Sequence, residues 1–315
     1  MFVVGGESLV DLISKPIGPD GQRELVAKAG GSPMNCAIAL SKLGVETGFL
    51  CPISRDSFGD FILAPLTAAG VRPLLSDRVR EPTTLAVVTD DGKGNPRYAF
   101  YREADRAFTR DGLIAALPKK IELFEMGGFC TVRADDMEVW LDVAREAARR
   151  GATIATDPNL RPSLIDDMEA YRWRVKDSLE IASLIKMSEE DLETLEPRRS
   201  IEEQVAEMLN GPSAKLVVVT LGANGSRAFT AKASVTSPIY PATAGGDNVG
   251  AGDTLMAGIL TWLSDHHSLA PEKMAELSSD ELKQMLWFGA VAAGINCSRV
   301  GANPPTRAEV EAKLR

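Results

Sequence analysis

The sequence is short of the features that mark secreted, membrane-embedded or cluster-binding proteins. Only four of its 315 residues are cysteine: Cys36, Cys51, Cys130 and Cys297. No two form a Cys-x-x-Cys pair and no histidine stands near them. That pattern argues against a disulfide framework and reads as buried free thiols in a reducing compartment. The most apolar stretches, 255–263 and 286–295, are core-helix length, well under the roughly 20 residues of a membrane span. The start, Met1-Phe2-Val3-Val4-Gly5-Gly6-Glu7, lacks a basic segment followed by a long apolar one, so it does not read as a signal peptide. A cytoplasmic location is the expectation. Positive charge is also in deficit, with 35 Lys+Arg against 44 Asp+Glu and a net charge of −9. Such a surface is a poor general partner for nucleic acid or an anionic membrane, although a local site can still meet a small anion. Internal repeats, low-complexity tracts and charge blocks are missing, as is any linker long enough to separate two domains. The expectation is therefore one domain over residues 1–315.

What is present is the material of a large core: 44% apolar and 25% charged residues. Short apolar runs at 2–5, 153–156, 184–187 and 216–221 alternate with amphipathic helical patterns at 33–43, 135–150 and 202–209. The run Leu216-Val217-Val218-Val219-Thr220-Leu221 reads as a strand covered on both faces, the mark of a parallel sheet. This alternation predicts a doubly wound α/β sheet. Two regions break the rhythm, residues 8–29 and 83–106. The second contains alternating segments at 84–89 and 97–101 around Asp90-Asp91-Gly92-Lys93-Gly94-Asn95, a hairpin signal. The two regions are expected to pair into a small separate β-sheet lid.

Gly245-Gly246-Asp247-Asn248-Val249-Gly250-Ala251-Gly252-Asp253-Thr254 opens directly into an apolar helix. The first N–H groups of such a helix lack internal partners and carry the positive end of its dipole. With only small residues at Gly250, Ala251 and Gly252, this is an anion cradle. Asp253 would repel a phosphate, so its place there suggests proton acceptance from an attacking hydroxyl. The competing reading is a plain helix cap. No Gly-Lys-Ser/Thr follows, and the dinucleotide spacing is missing. A second Gly-Gly turn enters a helix at Gly30-Gly31-Ser32-Pro33-Met34-Asn35, where Asn35 offers a donor and an acceptor to a sugar hydroxyl or merely closes a turn. Asp157-Pro158-Asn159-Leu160-Arg161 follows a strand end, where ligands of open α/β sheets bind. Thr220-Leu221-Gly222-Ala223-Asn224-Gly225-Ser226 is either a phosphate-side turn or an ordinary hairpin. Ser188-Glu189-Glu190-Asp191 either caps a helix or organises a metal-bound water.

Taken in order, these pieces resemble the ribokinase-type carbohydrate kinases, the PfkB family. One family signature is similar to Gly30–Asn35 running to Leu43-Gly44, the other to Asp247–Thr254. The resemblance spans essentially the whole chain. It implies a ribokinase-like α/β fold, with a mostly parallel sheet flanked by helices under a small β lid. It also implies transfer of the ATP γ-phosphate to a sugar hydroxyl with Mg²⁺. By this resemblance Asp253 is the base and Gly250, Ala251 and Gly252 form the anion hole. Asp11, Gly31 and Asn35 match sugar-binding positions, while Asn159, Arg161 and Arg102 are further substrate candidates. Thr220, Gly222, Gly225, Asn296 and Ser188 fall on the nucleotide side. Asp191 is a candidate for metal-bound water. Asp247, the Val249 carbonyl and the 301–303 loop fall where relatives bind a monovalent cation such as K⁺. A homodimer through the lid is implied as well. The chain departs from the common Asn-x-x-Glu motif, having Ser188 and Asp191 in its place.

The stretches 6–12, 98–105 and 157–161 are most similar to bacterial fructokinases. The competitors are a 2-keto-3-deoxygluconate kinase, whose substrate carboxylate would call on Arg97, Arg102 or Arg106, and a nucleoside or riboside kinase. A non-enzymatic sugar sensor is the reading from another class. Asp253 argues against it, because binding alone needs no base.

Overall fold

The computed structural model describes residues 1–90 and 96–314. Residues 91–95, most of the segment expected to turn, and Arg315 lie outside the described residues. The strands are β1 (Phe2–Gly5), β2 (Leu9–Ser14), β3 (Leu25–Gly30), β4 (Thr47–Leu50), β5 (Arg72–Pro73), β6 (Leu85–Asp90), β7 (Pro96–Tyr101), β8 (Leu123–Gly127), β9 (Thr153–Asp157), β10 (Leu184–Ser188), β11 (Leu216–Thr220), β12 (Ser226–Phe229) and β13 (Ser234–Ser237). The helices are α1 (Ser32–Lys42), α2 (Ser57–Ala68), α3 (Arg110–Ala116), α4 (Ala134–Arg149), α5 (Met168–Leu179), α6 (Glu189–Leu195), α7 (Ile201–Asn210), α8 (Ala251–Asp265), α9 (Pro271–Met274), α10 (Ser279–Cys297) and α11 (Arg307–Leu314).

Nine strands form one sheet in the order β13-β12-β11-β10-β9-β8-β1-β4-β5. It is parallel from β11 to β5, and only the β11–β12 and β12–β13 pairs are antiparallel. The continuous apolar run at 216–220 is buried on both faces, as expected of an inner parallel strand. One core packs α1, α2, α8, α10 and α11 on one face of the sheet. A second packs α3, α4, α5, α6 and α7 on the other. The rhythm-breaking regions supply a separate four-stranded sheet, β3-β2-β6-β7. In it β2 and β6 run parallel while the outer pairs are antiparallel. Among the described residues no helix is long and apolar enough to cross a membrane.

Two features of this packing place the site. The parallel strands point their carboxyl ends to one edge, so the turns after β1, β9, β10 and β11 gather there. The helix α8 then lies against α1 and α10. Its approach to α10 depends on paired glycines, since a Cβ on Gly258 would stand 2.7 Å from the Cα of Gly289. Gly258→Leu is expected to destabilise the fold by about 1–3 kcal/mol through overpacking. A urea midpoint equal to that of the parent would contradict this contact.

Candidate active site

The N-cap of α8 is Gly250, in the left-handed region at φ 73°, and no side chain caps the helix. A Cβ there would also meet the Cβ of Ala302 at 2.8 Å, so glycine is required both for the turn and for the approach of the 301–303 loop. Asp253 therefore is not the cap of its own helix. Its carboxylate faces the start of α1, where Oδ1 accepts from Ser32 Oγ at 2.6 Å and Oδ2 from Asn35 Nδ2 at 2.9 Å. Two helix starts, more than 200 residues apart in sequence, are joined through one carboxylate. Burial raises the Asp253 pKa, while Ser32, Asn35, Lys186 and Arg161 oppose the rise.

Lys186 was not among the residues singled out from sequence. It lies in β10, 5% exposed, with its ammonium 2.5 Å from Asp157 Oδ2. A Cβ on Gly252 would stand 2.9 Å from Lys186 Nζ, so this buried cation sits directly against the first turn of α8. Burial works against the ammonium, but Asp157 and Asp253 outweigh it and raise the Lys186 pKa. The signal available in sequence was a lysine inside an otherwise apolar strand, Leu184-Ile185-Lys186-Met187. Asp157 itself is pushed up to about 6 by burial, against the pull of Lys186. Its Oδ1 is buried without a partner.

On the lid side, Asp11 of β2 stands opposite Lys28 of β3. Burial raises Asp11 to about 6, opposed by Arg161 and Lys28. Gly31 closes the turn above it at φ 116°, where a Cβ would lie 2.7 Å from the Glu7 carbonyl. Arg161 Nη1 donates to Asn159 Oδ1 at 2.6 Å and to the Asn159 and Leu160 carbonyls. Asn159, at φ 45°, thus orients Arg161, whose charge bears on Glu7, Asp11 and Asp253. Gly31 starts the helix that carries Asn35, Asn35 bonds Asp253, and the Arg161 charge bears on both Asp11 and Asp253, so these residues share one neighbourhood.

Arg102 is engaged elsewhere. Its guanidinium donates to Asp105 at 2.8 Å, lies 3.4 Å from Asp136 and sits 4.7 Å over the Phe129 ring, leaving only Nη1 without a partner. Arg106 is bound to Asp135 and Asp136, and Arg97 is exposed on the lid.

Behind α8 lies a cleft of about 380 Å³. Thr220, Gly222 and Gly225 line it, with Asn248, Ala251 and Gly252 at the helix end and apolar residues of α10 beyond. The turn at 222–224 also closes the β11–β12 hairpin, so the hairpin reading of Asn224-Gly225 is the one observed. Three expected residues do not line this cleft. Asn296 is fully buried, donating to the Val249 carbonyl at 2.8 Å and accepting from the Asn303 N–H at 2.8 Å. It ties α10 to two loops and presents nothing to a base. Ser188 caps α6 in a capping box with Asp191, so the plain cap reading is the one observed. Asp191 Oδ2 accepts from the Ser188 N–H and hydroxyl, and Oδ1 accepts from the Leu160 N–H. Among the described residues no group of three or more His, Cys, Asp or Glu side chains is arranged to hold a metal ion.

Comparison with known proteins bears on this arrangement. The family model "pfkB family carbohydrate kinase" matches residues 1–309. A fructokinase of Rhizobium leguminosarum bv. trifolii is 34% identical over 288 residues, covering 90% of this chain and 86% of that protein. The solved fructokinase of Xylella fastidiosa with bound ATP superposes with a TM-score of 0.87 at 26% identity, covering 99% of this chain and 97% of the other. A fructokinase double mutant from Vibrio cholerae O395, in its fructose, ADP and potassium ion bound form, superposes with a TM-score of 0.79 at 25% identity, covering 100% and 98%. A glycine-capped helix start, a carboxylate clasped between two helix starts and a small β-sheet lid thus occur together in a chain that belongs to the pfkB family of carbohydrate kinases.

Proposed function

We propose that the protein is an ATP-dependent fructokinase that phosphorylates a hydroxyl of the free sugar. The observation that carries this reading is the Asp253 clasp: a carboxylate at a helix start, oriented by Ser32 and Asn35 rather than used as a cap. A hydroxyl bound beside Asn35 and Asp253 would give its proton to Asp253 late in transfer, while Asp11, Asn35 and Arg161 hold the sugar. The Ala251 N–H donates to the Asn248 carbonyl at 3.2 Å, so of the expected anion-hole donors it is the Gly252 N–H, with the Lys186 ammonium beside it, that would stabilise the equatorial oxygens of the transferring phosphoryl group. The cleft bounded by Thr220, Gly222 and Gly225 suits the nucleotide. Mg²⁺ would be carried mainly by the ATP phosphates, neutralising charge as it develops. The partnerless Asp157 Oδ1 is the acceptor here that fits a metal-bound water.

Fructose is favoured over a sugar acid because Arg102 and Arg106 are already paired with carboxylates. The space around Asp253 holds Glu7, Asp11 and Asp253 against Arg161 and Lys28, a balance that suits a neutral polyol. The names of the relatives point the same way. Exposed Ile17, Leu25, Val26, Tyr98 and Tyr101 on the lid support a homodimer formed through it. Four free cysteines, three of them buried, support a reducing, cytoplasmic setting.

An ATP-consumption screen over fructose, 2-keto-3-deoxygluconate, ribose and nucleosides tests the assignment. Fructose should give the highest kcat/KM, and Arg102→Ala should keep that preference. A preference for the keto acid would replace the reading. Asp253→Asn should still bind ADP and sugar by calorimetry while turnover drops by orders of magnitude; unchanged turnover would end the base assignment. Lys186→Met, made together with Asp157→Asn so that no carboxylate is left buried alone, should lower kcat by about 10²-fold or more. An unchanged kcat would remove Lys186 from the reaction. For Asp11 the sign follows from its raised pKa: it becomes neutral as pH falls through about 6 and loses acceptor strength toward a sugar hydroxyl. Sugar affinity should therefore weaken below that pH, and Asp11→Asn should flatten the change. A limb near the ordinary carboxylate value of about 4 would contradict the assignment.

A further inference from the structure

The Vibrio cholerae relative was solved with a potassium ion, and the sequence reading places a monovalent cation at Asp247, the Val249 carbonyl and the 301–303 loop. A dehydrated monovalent cation needs several oxygens turned toward one point. Here the oxygens have other partners. Asp247 Oδ1 accepts from the Val249 N–H at 3.0 Å, and Oδ2 accepts from the Gly301 N–H at 2.9 Å. The Val249 carbonyl accepts from the Asn296 amide at 2.8 Å. Beyond them, Lys42 Nζ donates to the Pro304 carbonyl at 2.6 Å and Asn303 Oδ1 at 3.3 Å, while Arg299 Nη1 donates to the Asn303 carbonyl at 3.2 Å. Arg299 is itself held by Glu309.

One more cation is close. Lys28 reaches from the lid strand β3 to within 3.9 Å of Asp247 Oδ2, and its Nζ would be 3.7 Å from a Cβ on Gly301. The negative charge of Asp247 lies just upstream of the anion cradle, where an unbalanced carboxylate would oppose phosphate. We infer that Lys28 is a tethered replacement for the diffusible cation, neutralising Asp247 while Lys42 and Arg299 fix the adjoining loop, so that phosphoryl transfer needs no added K⁺. Lys28 acts as a positioning residue, through Asp247 and the loop that leads into α8. Because it belongs to the lid, the same contact couples lid position to the cradle.

The test compares potassium chloride with choline chloride at equal ionic strength, reading both turnover and thermal melting. The activity arm rests on the kinase reading; the melting arm does not. The parent protein should turn over within about twofold in the two salts and melt at the same temperature in each. Lys28→Met should lose about tenfold or more in choline, an effect on the scale of a lost charge-stabilising contact. Potassium should restore most of that loss and raise the melting temperature of the variant alone. Lys28→Gln serves the same comparison where the Met variant does not melt cooperatively. Parent turnover stimulated beyond twofold by potassium overturns the inference. So does a Lys28 variant that behaves alike in both salts, whether active or inactive, since loss of the Asp11 neighbour is not repaired by potassium. A parent protein with no turnover on any sugar fails the kinase reading and leaves the melting comparison to decide this one.

Discussion

The arrangement of the site depends on a single carboxylate shared by two helix starts. Asp253 is held by Ser32 and Asn35 at 2.6 and 2.9 Å, and those residues stand in the first turn of a helix formed by the opposite end of the chain. Neither bond can form until α1 and α8 lie side by side on one face of the sheet. That packing is set by the apolar faces of both helices and by the Gly258–Gly289 contact that lets α8 settle against α10. The carboxylate is then buried at the positive end of a helix dipole.

Beneath that clasp runs a row of buried charge. Glu125 of β8, Asp157 of β9 and Lys186 of β10 lie on adjacent strands, on the same face of the sheet as α1 and α8. Burial, then Asp157 and Asp253, push Glu125 well above the usual carboxylate range, so the row carries less negative charge than its residue count suggests. Lys186 is consequently left as a full cation with one close counter-ion rather than several. A lysine held in this way cannot move far, and its ammonium is fixed beside Gly252 without the entropy loss of ordering an exposed side chain at the moment of reaction.

How much of this was legible in the sequence depends on the distance over which each feature is decided. The fold class, the lid and the helix opening after Gly250 were readable because turn residues and apolar periodicity act over a few neighbouring positions. The place of Asp253 in the first turn of that helix was readable for the same reason. Lys186 was not, because its role comes from strand pairing that brings Asp157, 29 residues away, against it. Asn296 and Asp191 show the converse. Each looked like a ligand by position, and each bonds to backbone groups that only the folded chain brings near. Arg102 looked available for an acidic substrate until the structure set Asp105 and Asp136 around it.

The loops that flank the cradle show why such internal use is itself functional. An anion hole works only if its N–H groups already point at the future charge, because reorganising them during transfer would cost the energy they are meant to supply. Gly250 gives the turn its freedom, and freedom alone would let the cradle drift. The drift is removed from outside: Asn296 fastens the Val249 carbonyl, Asp247 bridges Val249 and Gly301, and Ala302 packs against Gly250. These contacts hold a permissive backbone in one conformation from three directions. The lid differs in kind, since Lys28 meets the same loop through a longer, half-exposed ion pair that can break and re-form. A rigid turn below and a releasable contact above would let the lid move without disturbing the start of α8.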